Sequence, residues 1–481
     1  MITFSEMINR ILSLLNQIIG RNRAETPVGL KDAAVSYEMI SAVERWGAMY
    51  FDRSPWVDGK NVFSGNYAAA ICSELARLVT LEMETGIEGS PRAEFLDREY
   101  KEFLRNIRTY VEYACAFGGV VFKPYPVKTG FCFDVIRQDE FCPFSADSAG
   151  NITGAVFTEK IHRNRKYYSR LEWHSYNDGV YTVINQAFVS DSERGLGVPC
   201  ELSQVYEWSV LMPKAEITGV EKPLFVYFKI PLGNNIDADS ALGASVFAKC
   251  EDIIKQADLQ YSRLLWEYRG GQLAVDAPSD VLRTKETGKY EMPEYNDRLF
   301  RRLEVIDSED RSFYEVFNPT LRDGSYMDGL NRLLRMIEFN TGLAYGTLSD
   351  VQAVDKTAEE IKASKQRSYT TVSCLQQALE EALRHLVYSM DVLATLYRLA
   401  PEGTYNMSFK WDDSIIVDRD KEREQDRSDM QDGILAKWEY RMKYRGETEA
   451  QAKAAISAIQ SEAPSDDELM NFASEEFGGD G

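Results

Sequence analysis

The chain has 481 residues, of which 44% are apolar and 12% aromatic, and its formal net charge is −21. That length carries two to four domains, and that apolar share supplies a substantial core. So acidic a balance excludes a protein that grips nucleic acid through a general basic surface, because phosphate neutralisation needs clustered Lys and Arg. It leaves open a protein that lets nucleic acid pass without holding it.

The first segment, MITFSEMINRILSLLNQIIG, breaks its apolar run with Glu6, Asn9 and Arg10, and no small-residue cleavage site follows. It reads as a short amphipathic helix that docks on a partner, not as a signal peptide. No later stretch reaches the roughly 20 apolar residues of a membrane span, so no membrane partner is expected and the protein is read as cytosolic or assembled in a cytosol. Up to about residue 118 the chain is mostly helical. Tyr37, Ile40, Val43, Trp46 and Tyr50 recur at helical spacing, and further helices are expected over Tyr67 to Leu81 and Ala93 to Ala116.

Gly118-Gly119 ends that block, and the period changes. Short strand-like runs around Val120, Phe131, Ala155 and Val180 alternate with turn signals such as Ala149-Gly150-Asn151 and Asn177-Asp178-Gly179. Residues 119 to about 230 are therefore β-rich, with Trp173 and Trp208 expected to pack against sheet. PLGNNIDADS, residues 231–240, is a linker.

A long helix is expected from Ala241 to Tyr268. Phe247, Cys250, Ile254, Ala257, Tyr261, Leu264 and Tyr268 follow at steps of three and four, forming one stripe that suits packing in a bundle or against copies of itself. Gly270-Gly271 closes it. Residues 272 to about 323 read as a small mixed insert with strands in QLAVDA and RRLEVID, and a second helix resumes at Ser325. The insert then sits like a knob on a two-helix stalk. An irregular loop, Thr341 to Lys356, precedes a very long helix that starts at Thr357 and is closed by Pro401. The rest holds a strand-like run (Met407 to Trp411), a charged segment to Asp432, two helices, and an acidic tail without Lys or Arg after Lys453.

The seven cysteines form no C-x-x-C pair and read as buried free thiols of a reducing compartment. The three histidines, His162, His174 and His385, show no metal-ligand spacing, so neither a metal nor a cofactor is expected. Gly59-Lys60 is followed by Asn61 and Gly288-Lys289 by Tyr290, so no phosphate-cradling P-loop is present. Carboxylate pairs such as Asp412-Asp413 read as solvated surface, and no catalytic residue is nominated. Arg298, Arg301 and Arg302 make a basic cluster in the insert, read either as a solvated face or as a contact for an acidic partner.

The order of these parts resembles the portal proteins of tailed bacteriophages, in particular long-tailed phages and prophages of Gram-positive bacteria. The resemblance lies in YEMISAVERWGAMYFDRSPW, in the segment from Leu242 leading into the first long helix, in GLAYGTLSDVQAVDKTAEEIKASKQRSY, and in the C-terminal WDDSIIVDRDKEREQDRSDMQDGILAKWEYRMKYRGETEAQA. It implies an α+β fold with a wing (1–240), a first stem helix (241–269), a clip (270–324), a second stem helix (325–341), a tunnel loop (342–356), a long wing helix (357–400) and a crown with its tail (401–481). It further implies a non-enzymatic dodecameric ring at the capsid vertex of the virion, assembled in the host cytoplasm. Double-stranded DNA passes through that ring during packaging and ejection, and like-charged walls would keep it weakly bound.

The implied partners are copies of the chain, the large terminase subunit, head-completion or adaptor proteins, and the major capsid and scaffolding proteins. Leu348, Asp350, Val351, Gln352, Val354, Asp355 and Lys356 would face the channel, and Arg298, Arg301 and Arg302 would dock the motor. Phe247, Cys250, Ile254, Ala257, Tyr261 and Leu264 would pack the stem. The alternatives are a cytosolic α+β enzyme hydrolysing through carboxylates, or another structural protein of a phage head.

Overall fold

The computed structural model describes residues 35–193, 195–278, 300–303, 315–350, 358–411 and 419–462. The expected N-terminal helix, Asp412-Asp413 and the tail beyond Glu462 lie outside them. The chain divides into two units, Met1–Trp411 and Asp412–Gly481. Helices and sheets are mixed in an α+β arrangement.

The larger unit opens with α1 (Tyr37–Tyr50), whose N-cap Ser36 accepts a hydrogen bond from the Met39 amide at 3.2 Å. Its apolar stripe buries Met39, Ile40, Val43 and Trp46. There follow α2 (Tyr67–Thr80), β1 (Met83–Glu88), α3 (Pro91–Leu104) and α4 (Ile107–Phe117). The single helix expected over Ala93 to Ala116 is thus two. Asn106, at φ −111° and ψ 12°, leaves helical geometry, and the rings of Phe103 and Tyr110 pack at a tilt, 5.1 Å apart, across the break.

Three antiparallel strands, β2 (Gly119–Val127), β3 (Gly130–Arg137) and β10 (Val226–Lys229), form one sheet in the order β10-β2-β3. A second sheet runs β4 (Phe141–Ala146), β5 (Ile152–Arg163), β6 (Lys166–Asn177), β7 (Val180–Ser190) and β8 (Val198–Cys200), with β9 (Lys214–Thr218) also paired to β7. Asp178 and Gly179, both at positive φ, make the two-residue turn between β6 and β7. Asn164 and Arg165 do the same between β5 and β6. Trp173 packs on Phe144 at 5.8 Å, and Trp208 is buried in a small separate cluster with Ala187 and Val205.

The expected first long helix begins ten residues late: α5 spans Glu251–Gly270, preceded by one 3₁₀ turn, Ala248–Cys250. The reason lies in what the backbone of 242–250 is bonded to. The Gly243 amide donates to Tyr227 Oη at 2.8 Å, the Gly243 carbonyl accepts from Gln138 Nε2 at 3.0 Å, and the Val246 amide donates to the Cys115 carbonyl at 3.0 Å. Groups committed to these partners are lost to the helical ladder. Gly118 (φ +92°) and Gly243 cross here so closely that a Cβ on Gly243 would lie 2.1 Å from the Gly118 carbonyl oxygen.

Next come β11 (Ala274–Pro278), β12 (Phe300–Leu303) and β13 (Glu315–Phe317), a three-stranded sheet with β11 parallel to β12 and antiparallel to β13. α6 (Asp323–Thr341) follows, then α7 (Ala358–Leu396). α7 buries Val372, Leu375, Leu379, Leu383, Leu386 and Met390 against the body. It ends before the expected residue 400 because Arg398 turns to φ +52° and Arg92 Nη1 takes the Ala400 carbonyl at 3.1 Å. β14 (Asn406–Trp411) pairs antiparallel with β1 and so belongs to this unit, not to a C-terminal part starting at 401.

The smaller unit holds α8 (Arg419–Gln431), α9 (Lys437–Arg445) and α10 (Glu449–Glu462). Lys443 and Tyr444 of α9 meet Asp426 of α8 at 2.5 and 2.7 Å. The cysteines are free, but Cys132 and Cys374 are exposed, against expectation. Cys132 falls on the outer face of β3 and Cys374 between the buried Val372 and Leu375 on α7.

His385 of α7 donates through Nε2 to the Pro223 carbonyl at 2.7 Å. Burial pushes its pKa down to about 4, although the hydrogen bond to Pro223 opposes that shift. The unfolded chain takes up the proton near the ordinary value of about 6.5, so the native state loses stability as pH falls from there towards the folded value. We expect His385→Gln, which keeps a donor for Pro223, to show a smaller drop in Tm between pH 7 and pH 4.5 than the unsubstituted chain. Equal drops would contradict the assignment.

Candidate functional site

α5 and α6 lie side by side and antiparallel: Glu267 meets Arg322, while Gln260 Nε2 donates to the Tyr326 carbonyl at 3.1 Å. Phe247, Cys250, Ile254, Ala257 and Leu264 are buried and Tyr261 is half-buried. Phe247 and Cys250 do so from the turn before the helix rather than from a helical stripe. Tyr268, the last residue of the expected stripe, is exposed. Ile254 and Ala257 share one core with Leu330, Leu334 and Ile337 of α6.

The hairpin is also tied by carboxylates, which periodicity alone did not single out. Glu251, in the first turn of α5, accepts from Trp46 Nε1 at 2.6 Å and Arg45 Nε at 3.1 Å. Asp258 is buried and accepts from Trp56 Nε1 and the Gly65 amide, each at 2.8 Å. Burial raises its pKa despite those donors. The Phe63 amide donates to Ser262 Oγ at 2.8 Å, so the chain between α1 and α2 is fastened along α5. At the far end, Glu267 accepts from the Arg322 amide and guanidinium at 2.8–3.1 Å. The Arg322 hydrogen bond holds its carboxyl below the usual range.

The second helix passes straight into the expected loop. Gly342, at φ +76°, ends α6, and a Cβ there would lie 2.2 Å from Thr371 Oγ1 of α7. Glu338, fully buried, accepts from the amides of Gly346, Leu348 and Ser349 at 3.1, 2.6 and 2.9 Å, and from Ser349 Oγ at 2.9 Å. Asn331 Oδ1 accepts from the Asp350 amide at 3.1 Å. The Arg367 guanidinium of α7 lies over Phe339 at 4.4 Å and Tyr345 at 5.4 Å. Leu348 is half-buried against the core and Asp350 is exposed. Val351, Gln352, Val354, Asp355 and Lys356 lie outside the described residues. A signal for the carboxylate was present in the sequence: Asn331, Leu334, Glu338 and Thr341 recur at three and four, placing polar residues on a buried face.

Of the basic cluster in the insert, Arg301 and Arg302 lie on β12, and Arg298 lies outside the described residues. A separate ionisable cluster lies on the sheets. Glu172 meets Lys123 Nζ at 2.7 Å and His174 Nε2 at 3.0 Å, and Arg170 lies at 3.5 Å. Burial works against ionised Glu172, but the His174 hydrogen bond and the Lys123 and Arg170 charges outweigh it and hold the carboxyl well below its usual range. Burial likewise lowers the His174 pKa. Lys123 donates to Glu172, while Arg170 donates to Glu159 and Asn185 and His174 Nδ1 meets Tyr181 Oη, so the group is tied into the sheets as a structural ion cluster is. Among the described residues no group of His, Cys, Asp and Glu is placed to hold a metal ion, and no helix is long and apolar enough to cross a membrane.

The sequence model of the family described as "Phage portal protein, SPP1 Gp6-like" matches residues 64–464. A solved chain described as "Neck of native GTA particle computed with C12 symmetry" is 11% identical, covering 88% of this chain and 98% of its own, with a TM-score of 0.40. No curated protein matches the chain.

Ile254 is 2% exposed. We expect Ile254→Asp to bury an unpaired charge at a cost of several kcal/mol, with Ile254→Val costing about 1 kcal/mol as the mild control. Urea unfolding of the two variants measures this. Equal midpoints would mean that the residue is not in the seam.

Proposed function

The chain belongs to the SPP1 Gp6-like family of phage portal proteins, and on that premise we propose that it forms a dodecameric ring at the capsid vertex. In this reading double-stranded DNA passes through the ring during packaging and ejection. The α5–α6 hairpin is the stem, residues 271–322 the clip, 342–356 the tunnel loop, and 412–481 the crown. Phe247, Cys250, Ile254, Ala257, Tyr261 and Leu264 hold the stem to the body of the subunit. The ring docks the large terminase subunit and then head-completion proteins at the clip, with Arg298, Arg301 and Arg302 as contacts. Major capsid and scaffolding proteins meet its outside.

The observation that carries this reading is the helical hairpin whose second helix runs directly into a loop fastened back onto it. Such a hairpin offers a rigid wall and a fixed loop, which a DNA conduit needs. Trp266, Met336 and Phe339 on the two helices are 66%, 51% and 54% exposed, which leaves apolar side chains for further copies to cover. The net charge of −21 suits a wall that DNA slides past. Asp350, Val351, Gln352, Val354, Asp355 and Lys356 supply a contact that follows DNA by shape rather than by sequence. Leu348 stays with the base of the loop.

A phage or prophage dependent on this chain for packaging tests the reading with two variants. Removing a few residues between 351 and 356 should leave rings of normal size but impair packaging. Deleting residues 273–320 should abolish terminase binding in a pull-down. Normal packaging by the first, or unchanged binding by the second, would contradict the corresponding assignment.

A further inference from the structure

We infer that Glu338 is a positioning residue that makes the base of the channel loop and the second stem helix one mechanical body. A buried carboxylate is costly unless donors converge on it. Here four converge, and all of them come from the short stretch Gly346–Ser349: three amides on Oε1 and the Ser349 hydroxyl on Oε2. A simple connection between two helices does not require this. Gly342 already ends α6 in the left-handed conformation, and α7 starts at Ala358.

The donors bind the loop to a point one turn inside the helix, not to its end. Seven residues earlier on the same face, Asn331 holds the Asp350 amide. The path from Gly346 to Asp350 therefore runs back along α6, fixed at two heights. Leu343 is fully buried and Leu348 half-buried against the same core, and Arg367 covers Phe339 and Tyr345 from α7. A displacement of α6 carries residues 346–350 with it, and a push on the loop is delivered to α6 at Glu338 and Asn331. The functional arm of this inference rests on the channel reading above; the clamp itself does not.

Amide hydrogen exchange on the assembled protein tests it, with peptides covering 343–350 read against peptides from α5. Glu338→Ala removes the acceptor. Glu338→Gln keeps a carbonyl for the three amides and an amide group for Ser349 Oγ. We expect Glu338→Ala to speed exchange in 343–350 by about tenfold or more, because a charge-assisted acceptor is lost, and Glu338→Gln to stay within about threefold of the unsubstituted protein. DNA packaging should fall in Glu338→Ala and be largely retained in Glu338→Gln. Unchanged exchange in Glu338→Ala overturns the clamp, and normal packaging despite fast exchange overturns its role. Should Glu338→Ala not assemble, Asn331→Ala is read instead at Asp350, where unchanged exchange overturns the anchoring. If the unsubstituted chain supports no packaging at all, the channel reading fails while the exchange result still decides the clamp.

Discussion

A carboxylate removed from water must find donors, and the α5–α6 hairpin meets that requirement at every level. Glu251 is met by the Trp46 indole and Arg45, and Asp258 by the Trp56 indole and the Gly65 amide. Glu267 is met by Arg322, and Glu338 by the amides of the loop. Each donor comes from a different part of the chain, so each bond fixes a different element against the hairpin. Charge-assisted hydrogen bonds of this kind are directional as well as strong. An apolar seam alone would tolerate slippage by a turn; the carboxylates set the register.

The hairpin also has to leave the body of the subunit at a defined angle. That is set by the crossing of Gly118 and Gly243, where two backbones pass with no room for a Cβ on either. Gln138 and Tyr227 clamp the crossing, Gln138 on the carbonyl of Gly243 and Tyr227 on its amide. The cost is the helical ladder over 242–250, and the result is a rigid joint between the β-rich body and α5. On the proposed reading this joint carries load from the outer part of the ring to its inner wall.

The sequence made the class of fold legible, along with the switch from helical to strand period near Gly118 and the hairpin with its insert. These are local patterns, and their burial follows from spacing. What stayed hidden depends on distant partners. β1 was not read as a strand because its pairing with β14 joins residues more than 300 positions apart. The turn at Asn164-Arg165 was not read because Arg carries no left-handed signal, unlike the Gly of Asp178-Gly179. Trp46 was read as apolar, and its indole donor gained meaning only with Glu251 beside it. At the candidate loop, the glycines and the exposure of Asp350 were readable, but Leu348 was assigned to the channel when its amide and side chain are committed to the subunit itself. Glu338 lies on a buried stripe of α6, but its role depends on loop amides that spacing does not reveal.

The central claim is that copies of this chain close into a ring around an open channel. The purified protein, weighed in solution and imaged end-on by electron microscopy, tests that claim most directly. The account predicts uniform closed rings of twelve subunits with a central opening. A monomer or dimer at every concentration, with no ring in any view, would contradict it.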